Sequence, residues 1–454
     1  MIKRSINFYN WTKGRMPAIV FHSGVIFVFS QAGAVVNFIT NLLILPKFLN
    51  ASDLGLVAPV TQFVAIGAIP LTVITSVVIK YITKYEANEE WGKLNCLVRD
   101  LVVFGLLSTI VIVILFIATF NSFAIRVGIS SGWIQFWMLI YLCVSSWIPV
   151  IGLLARSTQR FFIIGVGSFV TPLALMVSSI IFLPTYGFTG YLVALVISTF
   201  VNAALSFYGI YFYLLGHKKG YEPYFSDCKP LLKKYLLLFS ASAGIGWVWA
   251  LVPSFVVKHF LSDQDAAGYF FIQRLSQLPF YAFSTLMIVL LPILSMKYEK
   301  KQSTAKTVKG SIIYTVLSGV IVIGALYFFS SLMFHFVPQW RPHAGYSPYI
   351  WFMAIYVTIA SVDTIISADL VAKWEFRPAI YRLPVTCFFV IFTYCIFGWD
   401  GTKGYVPSYL WRFVDAHVVK DINLLISILI ISSLAFLSVN LIWYFILEKK
   451  RCRA

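Results

Sequence analysis

Arg274 lies inside an apolar run, GYFFIQRLSQLPFYAFSTLMIVLLP, from Gly268 to Pro292. A guanidinium in hydrocarbon costs about 2.5–3.5 kcal/mol on insertion scales, so a helix that keeps one has a use for it. Helical spacing puts Gln277 and Tyr281 three and seven residues beyond Arg274 on one stripe, with Gln273 beside it. Pro279 predicts a bend close to this patch. A cation, two amides and a phenol on one stripe suit a cavity that receives a polar or anionic molecule. The plainer alternative is that Arg274 snorkels outward, or pairs with a carboxylate to fix helix packing.

Asp363, in TIASVDTIISADLVAKWEF, is a deep carboxylate with no basic residue at helical spacing. Three roles fit it: neutralising Arg274, binding a proton or Na⁺ as a coupling ion, or anchoring a structural polar contact. Asp369, by contrast, stands four residues before Lys373, and a local helix pair accounts for it. In the first apolar run Asn37 and Asn41 stack at helical spacing, with Ser30 on the same face and Gln31 next to it. These amides are binding candidates; interhelical hydrogen bonding is the simpler reading, and it applies equally to Asn202 and Asn440. No GxxxxGK[ST] loop, HExxH pair or zinc-spaced Cys/His cluster occurs. The six cysteines include no CxxC. The sequence therefore predicts no enzyme, no metal site and no disulfide.

The elements that must carry these residues are membrane helices. Of 454 residues 60% are hydrophobic and 11% charged, against about a quarter charged in soluble domains, and the mean hydropathy is +0.85. Runs long enough to cross about 30 Å of hydrocarbon recur throughout, at 19–45, 56–82, 97–120, 133–154, 161–183, 190–215, 232–257, 267–294, 312–337, 349–372, 380–397 and 422–447. Unpaired backbone cannot face lipid, so these predict an all-α polytopic protein of about twelve transmembrane helices. The net charge of +18 is a topology signal rather than a nucleic-acid footprint. With the N-terminus inside, 27 of the 35 lysines and arginines fall on the cytoplasmic face, Arg382 among them, and seven on the other. Both termini are then cytoplasmic. The N-terminus has no signal-peptide pattern, so the first span is expected to stay in the mature chain.

Internal similarity divides the chain. At one constant offset Gly55 falls on Gly268, and Lys84-Tyr85-Glu86 falls on Lys297-Tyr298-Glu299. This spacing predicts two six-helix lobes in the same orientation, 1–216 and 232–454, joined by a cytoplasmic linker at 217–231.

Three segments carry a resemblance to a family. LPKFLNASDLGLVAPVTQFVAI, LLARSTQRFFIIGVGSFVTPL and DQDAAGYFFIQRLSQLPFYAFSTLMIVLLPILS are similar to the first external loop, the junction of spans four and five, and span eight of Wzx-like polysaccharide flippases. These belong to the MOP superfamily, which also contains the MATE transporters. The resemblance implies alternating access in a bacterial cytoplasmic membrane. Its implied cargo is an undecaprenyl-pyrophosphate-linked oligosaccharide repeat unit, destined for O-antigen, lipopolysaccharide or another surface polysaccharide. Arg274 matches a basic residue that faces the central cavity in span eight of related flippases, which implies a pyrophosphate contact. Membrane lipids, glycosyltransferases and a polysaccharide polymerase are the implied partners. A MATE-like ion-coupled multidrug antiporter is the alternative, although such proteins usually have acidic cavities. A membrane-embedded glycosyltransferase or polymerase is disfavoured by the short external loops.

Overall fold

A computed structural model describes residues 18–72, 89–129, 131–150, 161–215, 251–280, 302–373, 377–397 and 422–451, with scattered single positions between them. No strand occurs among these residues. Helix α1 spans Ala18–Ile39, passes through a π turn at Thr40–Ile44 and ends in the short piece Leu45–Phe48. Asn50 caps α2 (Ala51–Ile66) by accepting the Asp53 backbone N–H at 2.8 Å, which satisfies one of the orphan donors of the first turn. Next come α3 (Trp91–Val127) and α4 (Gly132–Ser146). The fifth and sixth expected spans are one long element, α5 (Phe161–Leu215), broken at Gly187 with φ 53° and ψ −130°. A side chain there would be strained, so glycine makes so tight a reversal feasible.

The second half contains α6 (Leu251–Phe260) and α7 (Asp263–Ser276), then α8 (Ala305–Phe336) and a 3₁₀ segment at Pro338–Tyr346. It closes with α9 (Ser347–Ala372), α10 (Arg377–Phe397) and α11 (Ile422–Arg451). Seven helices among the described residues are long and apolar enough to cross a membrane. Their outer faces agree with that: Leu106, Leu107, Ile110, Val111, Ile114 and Leu115 of α3 are all exposed. Water penalises such a face and hydrocarbon accepts it. The protein is a multi-pass membrane protein.

α1 and α4 lie on α5, α9 sits between α8 and α11, and α10 packs on α11. α1 and α5 approach closely at Gly33, where an added Cβ would collide with the Ser168 carbonyl oxygen; Ser30 Oγ donates to Ser168 Oγ at 3.2 Å beside it. Small residues permit such backbone proximity in lipid, where apolar burial alone gives helices little reason to associate.

The halves meet mainly where α2 packs on α7. One apolar cluster crosses between them, joining Leu42, Leu54 and Val57 to Ala266, Phe270 and Trp340. It lies toward the end that the charge distribution assigns to the outside. Toward the other end the described apolar clusters stay within one half: Ile74, Val78 and Ile82 with Leu97 in the first, and Leu290, Leu294, Val308 and Ile365 in the second.

Candidate binding cavity between the halves

Two local features set the phase of α7. At its start Ser262 Oγ accepts the Asp265 N–H at 3.1 Å, while Asp265 Oδ2 accepts the Ser262 N–H at 3.2 Å. This reciprocal capping box satisfies two orphan donors and fixes the entry of the chain. At the other end Pro279 has no N–H to give the Leu275 carbonyl, which accepts the Gln277 N–H instead. The helix therefore breaks at Gln277.

On the helix so phased, Tyr269, Gln273, Ser276 and Gln277 share one face. They line a cavity with Gln62 of α2, Tyr356 of α9 and Trp249. It has about 150 Å³ of space for water-sized molecules. Gln62 and Gln273 lie roughly 11 residues inside the starts of their helices. At 1.5 Å per residue that is about 16 Å, close to the middle of a 30 Å hydrocarbon layer.

The sequence places Arg274 on one stripe with Gln277, and Gln277 lines the cavity. Arg274 is turned about 100° from Gln273 and is not among the cavity's lining residues. Its guanidinium carbon lies 5.5 Å from the centre of the Phe270 ring, one turn back. Its charge acts on half-buried Tyr141 of α4 and buried Tyr191 of α5, both in the other half. Its Nε is buried and has no hydrogen-bond partner among the described residues. Tyr281 lies outside the described residues.

Asp363 acquires a partner that its own helix cannot supply. Arg382 of α10 contacts both its carboxylate oxygens at 2.5 Å, and Asn440 of α11 donates to Oδ1 at 2.7 Å. Ser367, one turn along α9, accepts from Arg382 at 3.3 Å and from Asn440 at 3.0 Å. The Phe436 ring lies 5.3 Å from the Arg382 guanidinium carbon. Arg382 is therefore not a charge of the cytoplasmic rim but an interior one, five residues into α10, and it neutralises Asp363 in place of Arg274.

The amides of α1 are accounted for locally. Asn41 is buried and donates to the Asn37 side-chain oxygen at 2.7 Å and to its carbonyl at 2.8 Å. Pro46 has no N–H to offer the Leu42 carbonyl, which accepts the Trp340 Nε1–H at 2.5 Å. Gln31 is half-buried on the same helix. None of these three amides lines the cavity. Gln62, Ser367 and Arg382 were missed by the sequence reading. Gln62 carried a signal, being an amide inside an apolar run, whereas Arg382 read as a rim charge.

Near the start of α7 the two halves are tied together by polar contacts. Lys258, buried in the last turn of α6, donates to the Ser52 carbonyl at 3.2 Å and to its hydroxyl at 3.3 Å, and pairs with Asp263. The hydrogen bond from Lys258 holds the Asp263 carboxyl below its ordinary range, against a smaller effect of burial. Burial pushes the Asp53 carboxyl up, with Lys258 opposing it. Gly55 makes the contact close: a Cβ there would lie 2.6 Å from that of Ala266.

No protein-family model and no curated protein sequence matches the chain. Solved structures do match. The outward-facing conformation of a multidrug resistance MATE family transporter of the MOP superfamily aligns at 14% identity and TM-score 0.66, over 93% of this chain and 94% of that one. The chain has the fold of MATE transporters. A Vibrio cholerae MATE transporter aligns over 94% of this chain and 97% of its own, at 14% identity and TM-score 0.64. An inward-facing conformation of a MATE family transporter gives 0.59 at 12% identity, over 93% of this chain and 96% of that one. The cavity and the Lys258 contact both lie near where α2 meets α7.

Proposed function

We propose that the protein moves undecaprenyl-pyrophosphate-linked oligosaccharide repeat units across the bacterial cytoplasmic membrane by alternating access, for assembly of a surface polysaccharide. The observation that carries this reading is Arg274: a guanidinium at the junction of the halves with a buried Nε that has no partner among the described residues. A buried donor without a partner costs about 1–3 kcal/mol, and more when charged. A pyrophosphate oxygen satisfies it with a charge-assisted bond, and the planar fork suits a second oxygen. The lipid tail stays in the bilayer between the halves while the glycan occupies the neighbouring polar cavity. Glycosyltransferases and a polymerase act before and after this step.

Flipping of a lipid-pyrophosphate-linked oligosaccharide in proteoliposomes tests the reading. Transport by the intact protein is expected to fall about tenfold or more in Arg274→Ala, equivalent to about 1.4 kcal/mol, and less in Arg274→Lys. Equal transport by all three proteins would remove Arg274 from substrate recognition.

The second reading, an ion-coupled multidrug antiporter with Asp363 as the coupling group, is favoured by the MATE fold. Against it, Asp363 is already neutralised by Arg382, and the described cavity lining carries no carboxylate for a cationic drug. Drug efflux without any flipping of lipid-linked sugar would establish it.

A further inference from the structure

The chemistry of the cavity wall points to a class of glycan, given the flippase reading on which this inference rests. Gln62, Gln273 and Gln277 converge on the cavity, and their side-chain amides make no hydrogen bond to any described residue. Each amide offers two donors and an acceptor, so the three together can serve several hydroxyl or acetamido groups. Tyr269 and Tyr356 add phenols. No lysine, arginine, aspartate or glutamate occurs among the described lining residues.

An uncharged sugar fits this wall, because its hydroxyls exchange water for amides without leaving an ion unpaired. A uronic acid or phosphorylated sugar does not fit. Its anion would lose water and find no cation in the lining, and a buried charge without a partner is strongly disfavoured. Arg274 cannot compensate, since it projects from another face of α7 and serves the pyrophosphate. The nearby carboxylate Asp363 is already held by Arg382 and Asn440.

We propose that the cavity selects a neutral sugar next to the pyrophosphate, gripped by Gln62 from one half and by Gln273 and Gln277 from the other. Because the amides belong to opposite halves, a bound sugar bridges them and favours the state in which α2 and α7 are in contact.

The test is flipping of two synthetic polyprenyl-pyrophosphate oligosaccharides of equal length in proteoliposomes, one with an unsubstituted hexose next to the pyrophosphate and one with a hexuronic acid there. The intact protein is expected to flip the neutral compound at least tenfold faster. Gln62→Ala and Gln273→Ala are expected to lower its rate at least tenfold, with Gln62→Asn as the milder variant should the alanine protein fail to fold. Gln62→Arg is expected to narrow the preference for the neutral compound. Equal rates for the two compounds, or faster flipping of the acidic one, would overturn neutral-sugar selection while leaving the flippase reading intact. A neutral preference unchanged in every glutamine variant would overturn the assignment to these residues. Absence of flipping for both compounds would overturn the flippase reading and this inference with it.

Discussion

Asp363 and Arg382 hold each other with their side chains only 13% and 11% exposed. Removing one member of a buried pair leaves the other uncompensated, at a typical cost of about 3–5 kcal/mol, whereas replacing both is often neutral. Arg382→Met is therefore expected to lower the thermal midpoint of the detergent-solubilised protein more than the double change Asp363→Asn with Arg382→Met does. Equal losses would show that the two charges do not stabilise one another. The sequence reveals Asp363 as a deep charge but not its partner, which stands 19 residues away on another helix, where no periodicity relates the two. The contrast is Asp369, whose pairing with Lys373 follows from a four-residue helical step and forms at 2.7 Å.

Among the elements, glycine positions separate contact faces from lipid faces. Gly33 of α1 stands against the α5 backbone, and Gly324 of α8 has nothing within 4 Å of an added Cβ. Gly33→Ala is expected to destabilise by about 1–3 kcal/mol through overpacking against a carbonyl that cannot swing away. Gly324→Ala is expected to stabilise by about 0.5–1 kcal/mol, because alanine restricts the unfolded chain and favours helix. Chemical unfolding of the two purified variants checks this, and shifts of the same sign would refute the close approach. Hydropathy could place these helices but not rotate them. The phase of α7 is set by the Ser262 capping box and the break before Pro279, which bring Tyr269, Gln273, Ser276 and Gln277 to the cavity wall.

For the whole molecule, the contact centred on Lys258 ties the two halves together. Lys258→Ala is expected to loosen it, raising the labelling of a cysteine placed at buried Leu54 by a membrane-impermeant maleimide. Unchanged labelling would mean that apolar contacts alone hold the halves together. The pH dependence follows from Asp263. Its carboxyl is held below the ordinary value of 3.8, so the pairing contributes fully above that value and is lost as pH falls through the lowered pKa. Labelling is expected to be flat between about pH 5 and 8 and to rise only in stronger acid. A rise already at pH 6 would assign the contact to another group.

The sequence by itself determined the membrane class, the all-helical architecture and the presence of two deep charges. Each of these depends on a local property: about 20 apolar residues span a bilayer wherever they occur, and a charge among them is conspicuous. Tertiary structure decided which deep charge is neutralised, which face of α7 meets the cavity, and that Gln62 joins two amides from the other half. Those are relations between helices distant in the chain, fixed by caps, kinks and close approaches that hydropathy does not register.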